Sequence, residues 1–428
     1  MRVTFLTFLF FSSLAWSVPL TWENLLASAL NDPSMEASEK KMQLLSTGPT
    51  PKLWSDLELR YKAEMGMMNH KFEARLKPAK IGENAALKNY WAALGNYHKA
   101  QATSTLSELI HRRYNLALRY LTQQAEIEIH EKLYQANQDR IQVLLALSGT
   151  EDFNPSDLVE AQEKDAELKA KVYESLNTLN EIALRLQVWV PESDTVILDT
   201  SWLPPVESIQ QRITAAPPVV DSTYPLLSRA HTKYKANEAR IDLENVGDNS
   251  VLKYVGVRYN WTVAKKKYEY IGNQLTNTLV RKDDNTRIID RWQLSAGFTV
   301  PFFASKGDSK MRRQLDQLDR ESDYLADKYS LEQEVSRLRE EIGALFQQRT
   351  IQQEFTERVD AGSLFQDFAV HAGSNPLLLL KASESSLSST LRSIRLEHEI
   401  YRRYLVLLQL TGAFSDKKVT NHLKAGLE

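Results

Sequence analysis

Apolar and polar positions follow two different periods along this chain, and the switches between them mark its elements. From Gly307 to Gly373 there is no proline, and Leu331, Val335, Leu338, Ile342 and Leu345 recur at alternating steps of four and three. That is the seam of a heptad coiled coil. Charged residues such as Arg337, Arg339, Glu340 and Glu341 fill the other faces. As one helix the stretch is roughly 65 residues and about 97 Å long, far beyond an ordinary globular helix. Directly before it, Trp292 to Val300 alternates strictly and reads as a strand.

The same plan occurs earlier in the chain. Trp22 to about Leu45 reads as a helix with Thr21 as N-cap, bent or interrupted at Asp32-Pro33. In Trp54 to Met65, Leu57, Leu59 and Tyr61 alternate with Glu58, Arg60 and Lys62. After Gly66, Phe72, Ala74 and Leu76 alternate with Glu73, Arg75 and Lys77. This is a hairpin with one apolar and one charged face. Alternation alone favours a sheet half buried on a core, and it also fits the dyad of a membrane β-barrel. Glu83 to Ser148 is the second very long helix. Gly149 to Pro155 turns the chain, and Ser156 to Trp189 returns it. Residues 191–221 form a Pro-rich connector with a short β-like piece at Val196 to Leu198.

A second round then begins: a helix from Ser222 to about Asn245, a strand at Val255 to Val263, and a long polar loop from Lys265 to Asp290. The strand, long helix and return helix follow, the last from Pro376 to about Leu410. Its seam is Leu387, Leu391, Ile394, His398, Tyr401, Leu405 and Leu408. His398 is expected to be a packed, hydrogen-bonded residue rather than a metal ligand. Thr411 onward reads as a mobile polar tail. Asn154-Pro155 opens one return helix and Asn375-Pro376 the other, with Ala161 and Glu163 matching Ala382 and Glu384. A period of this size marks a duplicated unit rather than a solenoid. Each long helix nearly equals its short helix and return helix laid end to end, which suggests a cylinder of helices with the strands grouped at one end.

Composition narrows the class. The 428 residues carry a net charge of −2, so a nucleic-acid partner is not expected. Cysteine is absent, which excludes disulfides, thiol catalysis and a lipidated N-terminal cysteine. Arg2, the apolar run Val3 to Leu14 and Ala15-Trp16-Ser17 form a signal-peptide pattern over residues 1–17. No Gly-x-Ser-x-Gly, His-Glu-x-x-His or phosphate-cradling loop occurs, and neither enzymatic activity nor a cofactor or metal is expected. The organisation is therefore a signal peptide, a first repeat at 18–190, the connector, a second repeat at 222–412 and a tail at 413–428.

Taken together the chain resembles the TolC-type outer-membrane efflux proteins. The resemblance is carried by Leu20 to Leu26, Leu294 to Phe303 with Gly307, Gly149 with Asp157 to Gln162, Gly373 to Leu378, and Leu407 to Gly412. It implies a mainly helical fold: a long α-helical coiled-coil barrel, plus four strands per chain contributed to a trimeric twelve-stranded β-barrel. It also implies a homotrimer in outer-membrane lipid, working with a periplasmic adaptor and an inner-membrane transporter in efflux or type I secretion. Four strands alone cannot close a barrel, and an open edge is not tolerated in lipid.

Candidate functional residues follow. Leu57, Leu59, Phe72, Leu76, Val257, Trp261, Leu294 and Phe298 are expected to face lipid, with Glu58, Arg60, Glu73, Arg75, Arg258 and Gln293 facing a lumen. Gly149, Asn154, Pro155, Gly373, Asn375 and Pro376 mark the helix-turn tips. Gln353, Asp360 and Asp367 are spaced by seven on one helix face and by themselves read as a solvated stripe; the resemblance makes Asp360 and Asp367 candidates for a periplasmic constriction. Lys265, Lys266 and Lys267 read as a solvated loop, with contact to lipid phosphates at a rim as the alternative. The competing reading is an exported periplasmic coiled-coil structural protein that spans nothing.

Overall fold

A computed structural model describes residues 19–50, 53–64, 69–80, 82–149, 153–193, 195–215, 220, 223–248, 252–264, 270–273, 278–281, 287–298, 307–359 and 376–425. The expected signal peptide lies outside them. In chain order the elements are α1 (Trp22–Leu30), α2 (Pro33–Ser46), β1 (Trp54–Glu64), β2 (Asn69–Pro78), α3 (Glu83–Ala146), α4 (Pro155–Trp189), α5 (Val206–Ala215) and α6 (Pro225–Asp248). There follow β3 (Leu252–Ala264), β4 (Tyr270–Asn273), β5 (Thr278–Arg281), β6 (Arg287–Phe298), α7 (Gly307–Val359) and α8 (Pro376–Thr411). The chain divides into two compact units. One comprises residues up to 40, 100–229 and 326–428, and the other 41–99 and 230–325.

The first unit is helical. Thr21 caps α1, its Oγ1 accepting the Asn24 N–H at 3.4 Å. The Asp32 carboxylate accepts the Ser34 N–H at 3.1 Å, and Pro33 starts a new helix. The expected interruption at Asp32-Pro33 thus divides the stretch into two helices. Leu331, Val335, Leu338 and Ile342 of α7 are buried as the heptad predicts. The next buried position is Phe346, not Leu345. The step of four there keeps pace with the 3.6-residue turn, which a strict heptad outruns. In α8, Tyr401, Leu405 and Leu408 are buried, and Leu387, Leu391 and Ile394 pack on Ile129, Leu133 and Leu168.

Two expectations for this unit are corrected. The connector contains α5, whose Val206, Ile209 and Ile213 form a buried stripe. The surrounding prolines mask so short a helix, although Pro205 directly precedes it and proline suits a helix start. The β-like piece is a single parallel bridge from Val196 to Leu20. The C-terminal stretch is not a free tail through residue 425. Phe414 stacks on Tyr114 with centroids 5.5 Å apart, and the His422 N–H donates to the Tyr114 hydroxyl at 3.3 Å. Phe414, His422 and Leu423 are buried, a pattern too sparse to show a period.

The second unit holds an antiparallel sheet in the order β1-β2-β3-β6 and a separate β4-β5 pair. The expected loop at Lys265 to Asp290 therefore carries a small hairpin and the start of β6. Runs of four residues are too short to show alternation. Within this unit α6 meets α7 through Arg240 and Asp316 at 2.6 Å, and His231 meets Tyr324 edge-on. Lys265 to Lys267 and the strand end at Thr299-Val300 lie outside the described residues. No helix among the described residues is long and apolar enough to cross a membrane.

Candidate functional site

The sheet is the candidate site, and its pairing register fixes which residues share a face. Successive side chains of a strand point to opposite faces. Leu57 pairs with Leu76, while Leu59, Ala74, Val257 and Leu294 form one row across all four strands. Tyr61, Phe72, Tyr259 and Trp292 form the next row, followed by His70 and Trp261. Phe298 lies four positions along β6 from Leu294, on the same face. All eight expected membrane-facing residues thus share one face. All eight are exposed, up to 75% for Leu59 and 86% for Leu294. An apolar face of this extent left open to solvent marks a contact surface rather than a protein exterior.

The opposite face is charged and internally bonded. Glu58 pairs with Arg75, and Arg60, Glu73, Arg258 and Gln293 form a row. Glu73 is 8% exposed. It binds Arg75 at 3.0 Å and Arg258 at 3.1 Å, and accepts from the Ser295 hydroxyl at 3.3 Å. Arg75 also rests on the Tyr254 ring, 4.2 Å from its centroid. Tyr254 covers Gly297, and a Cβ built at Gly256 would stand 2.8 Å from the Ser295 hydroxyl. Both glycines sit where polar-face side chains cross the strands. The sequence pattern places these groups on one face but does not reveal that they bond to one another.

Two strands have an open side. Among the described residues β1 and β6 each pair with one neighbour, so a row of backbone donors and acceptors faces outward from each edge. Along α7, Met311, Leu315, Leu318, Leu325 and Tyr329 recur at steps of four, three, seven and four, and all five are exposed. This is a coiled-coil seam that is exposed among the described residues.

The other expected site residues are placed as follows. Gly149 lies in the turn after α3. Asn154 caps α4, its side chain accepting the Ser156 N–H at 3.1 Å, and Pro155 is the first helical residue. Pro376 is the first residue of α8. Gly373, Asn375, Asp360 and Asp367 lie outside the described residues. His398 is hydrogen-bonded as expected, its Nδ1 2.7 Å from the Thr122 hydroxyl. Among α3, α4 and α8 a cleft of about 450 Å³ is lined by His130, Lys164, Lys171 and Arg395. Its cations are matched by carboxylates: Lys164 by Glu384, Lys171 by Glu167 and Arg395 by Glu126. Among the described residues no cluster of histidine and acidic side chains could hold a metal.

Sequence reasoning missed one buried pair. The Arg113 guanidinium binds Asp32 at 3.1 Å, donates to the Ser28 and Leu109 carbonyls, and lies 4.8 Å from the Trp189 ring. The signal was present: Arg113 interrupts the apolar stripe of Leu109, Ile110, Tyr114 and Ala117.

Long helices with a four-stranded sheet, apolar on one face and charged on the other, make up a fold that this chain shares with solved outer-membrane channels. The chain superposes on CusC, described for its transmembrane channel formation, with a TM-score of 0.62 at 13% identity, covering 92% of each chain. It matches the outer membrane protein VceC of Vibrio cholerae at 0.61 and 11% identity, over 91% of this chain and 96% of that one. The open-state MtrE outer membrane channel of Neisseria gonorrhoeae matches at 0.61 and 14%, over 93% and 90%. No family model matches the chain, and no curated protein matches it in sequence. At these identities the likeness establishes the fold.

Proposed function

We propose that this chain is an outer-membrane duct of a Gram-negative bacterium. It passively conducts substrates delivered by a periplasmic adaptor and an inner-membrane transporter, in tripartite efflux or type I secretion. The observation that carries this reading is the sheet. Its apolar face is exposed and its charged face is bonded within itself, the inverse of a sheet on a globular core. Its two open edges support barrel closure by three copies, β6 of one chain pairing with β1 of the next. The exposed seam on α7 supports the same homotrimer. The helices then form a periplasmic tunnel, with tips at Gly149 to Pro155 and Gly373 to Pro376 and an acidic constriction at Asp360 and Asp367. The N-terminal segment is the export signal.

Membrane fractionation tests the reading. The duct stays with the outer membrane after a high-salt wash and runs as a trimer in mild detergent. Release by the wash, as a soluble periplasmic species, would establish the structural coiled-coil reading instead.

A further inference from the structure

In the helical unit an ion pair is flanked on both sides by a histidine. Thr122, Glu126 and His130 recur at steps of four on α3 and so share one face. Successive turns of that face meet different partners. The Thr122 hydroxyl lies 2.7 Å from His398 Nδ1 on α8. Glu126 accepts from the Arg395 guanidinium on α8 at 2.8 and 3.2 Å. His130 Nδ1 lies 3.0 Å from the Ser175 hydroxyl on α4. Two imidazoles and one ion pair thus tie α8 and α4 to α3. His130 is buried, and with Glu126 and Arg395 it lines the cleft among the three helices.

The charges around these imidazoles oppose one another. His130 faces Glu126 on α3, Lys171 and Glu174 on α4, and Arg395 on α8. His398 faces Glu126 and Arg119 on α3, with Glu399 and Arg402 on its own helix. Each therefore sees two carboxylates and two cations. Glu126 already binds Arg395, Glu399 binds Arg402 at 2.8 Å, and across the cleft Lys171 binds Glu167 and Lys164 binds Glu384. With the charges balanced, burial decides, and it pushes both imidazoles below the ordinary histidine value. At neutral pH both are packed in the neutral form.

We propose that His130 and His398 form an acid-responsive clasp: below neutral pH both take up protons, and α4 and α8 then part from α3 at this level. Protonation adds two cations, one turn to either side of the Glu126–Arg395 pair, in an interface that withholds water from them. Parting the helices returns the charged rings to solvent. The parted state binds protons at the ordinary histidine value of about 6.5, above that of the closed state. The closed packing is thus fully favoured above that value and is lost as pH falls below it. The clasp needs no lipid, cargo or second copy, so it is independent of the duct reading.

The test is amide hydrogen exchange on the full chain, folded in mild detergent, at about pH 7.5 and about pH 5.5, corrected for the intrinsic pH dependence of exchange. This window lies above the carboxylate range. Each histidine makes local opening up to about tenfold more frequent per pH unit, and the two together up to about a hundredfold. Wild type should lose protection on acidification over residues 122–130 of α3 and 391–398 of α8. The double variant His130→Asn, His398→Asn, whose amides can still bond Ser175 and Thr122, should keep its protection. If the double variant does not fold, either single variant should cut the response to that of one histidine. Wild-type protection that is unchanged by acidification, a loss spread evenly along α3, or the same loss in the asparagine variants overturns the clasp.

Discussion

The Tyr254 ring lies over Gly297 so closely that a Cβ at position 297 would stand 2.3 Å from the ring Cε1. Arg75 stacks on the other part of this assembly and carries Glu73 with it. Gly297→Ala should therefore push the ring away and disturb the ion pairs behind it, a cost of about 1–3 kcal/mol. The measure is the urea midpoint of the reconstituted protein. Adding Tyr254→Ser to Gly297→Ala should restore much of the loss. An alanine variant as stable as wild type would remove the contact from the account.

The two faces of the sheet predict a strong asymmetry. Leu59→Arg places a charge on the exposed apolar face and should cost about 2–4 kcal/mol near the middle of a bilayer. An arginine at Glu58, one residue away on the polar face, should cost far less. Folding yield into lipid vesicles reads the difference, and equal effects at both positions would sink the barrel assignment.

The exposed seam on α7 predicts the oligomer. Leu315→Glu with Leu318→Glu should convert trimer to monomer in mild detergent, as seen by light scattering. Each leucine buried at such a seam contributes about 1.5–3 kcal/mol. Retention of the trimer in the double variant would mean that α7 does not line the interface.

Asp32 and Arg113 predict an acid-labile helical unit. Burial raises the Asp32 pKa, but hydrogen bonds from Ser34 and the Arg113 guanidinium outweigh it and hold the carboxyl below its usual value. Its contribution is thus fully present above the unfolded carboxylate value of about 3.9 and is lost as pH falls through the folded value. Asp32→Ala should cost about 3 kcal/mol at neutral pH, the lower end for a broken buried pair, because two carbonyls still accept from Arg113. Thermal melts against pH should show a shallower acid slope in Asp32→Asn than in wild type.

The proposed constriction predicts a change in ion preference. Three copies each of Asp360 and Asp367 around one axis favour cations. Asp360→Ala with Asp367→Ala should lower cation preference and weaken block by divalent cations in single-channel recordings. Unchanged selectivity and block would return both residues to an outer, solvated face.

Much of this architecture was legible because its signals are long. The α3 and α7 stripes run for many turns, and β1, β2, β3 and β6 are each ten or more residues long with alternation through most of their length. All eight residues expected on the apolar face share it, because a period of two leaves no freedom once the register is set. Short or irregular elements were not legible. α5 hides among prolines, β4 and β5 are four residues each, and Phe414, His422 and Leu423 pack without a period. The bonding of Glu73 and Arg113 depends on partners distant in sequence, which no local pattern encodes.

The two open edges of the sheet also bear on how the protein is made. In the proposed duct, a chain whose β1 and β6 each have one open side cannot complete its insertion alone, since unpaired backbone groups are costly in hydrocarbon. Insertion and assembly then become one event that depends on local protomer density. Until copies meet, each edge is a template for any passing strand, and export as proposed would then call for escorting of new chains. A proline in β1 or β6 would spoil more than its own chain. Mixed with wild type, it would stall the complexes it joins, and one defective allele would deplete the functional pool beyond its own share.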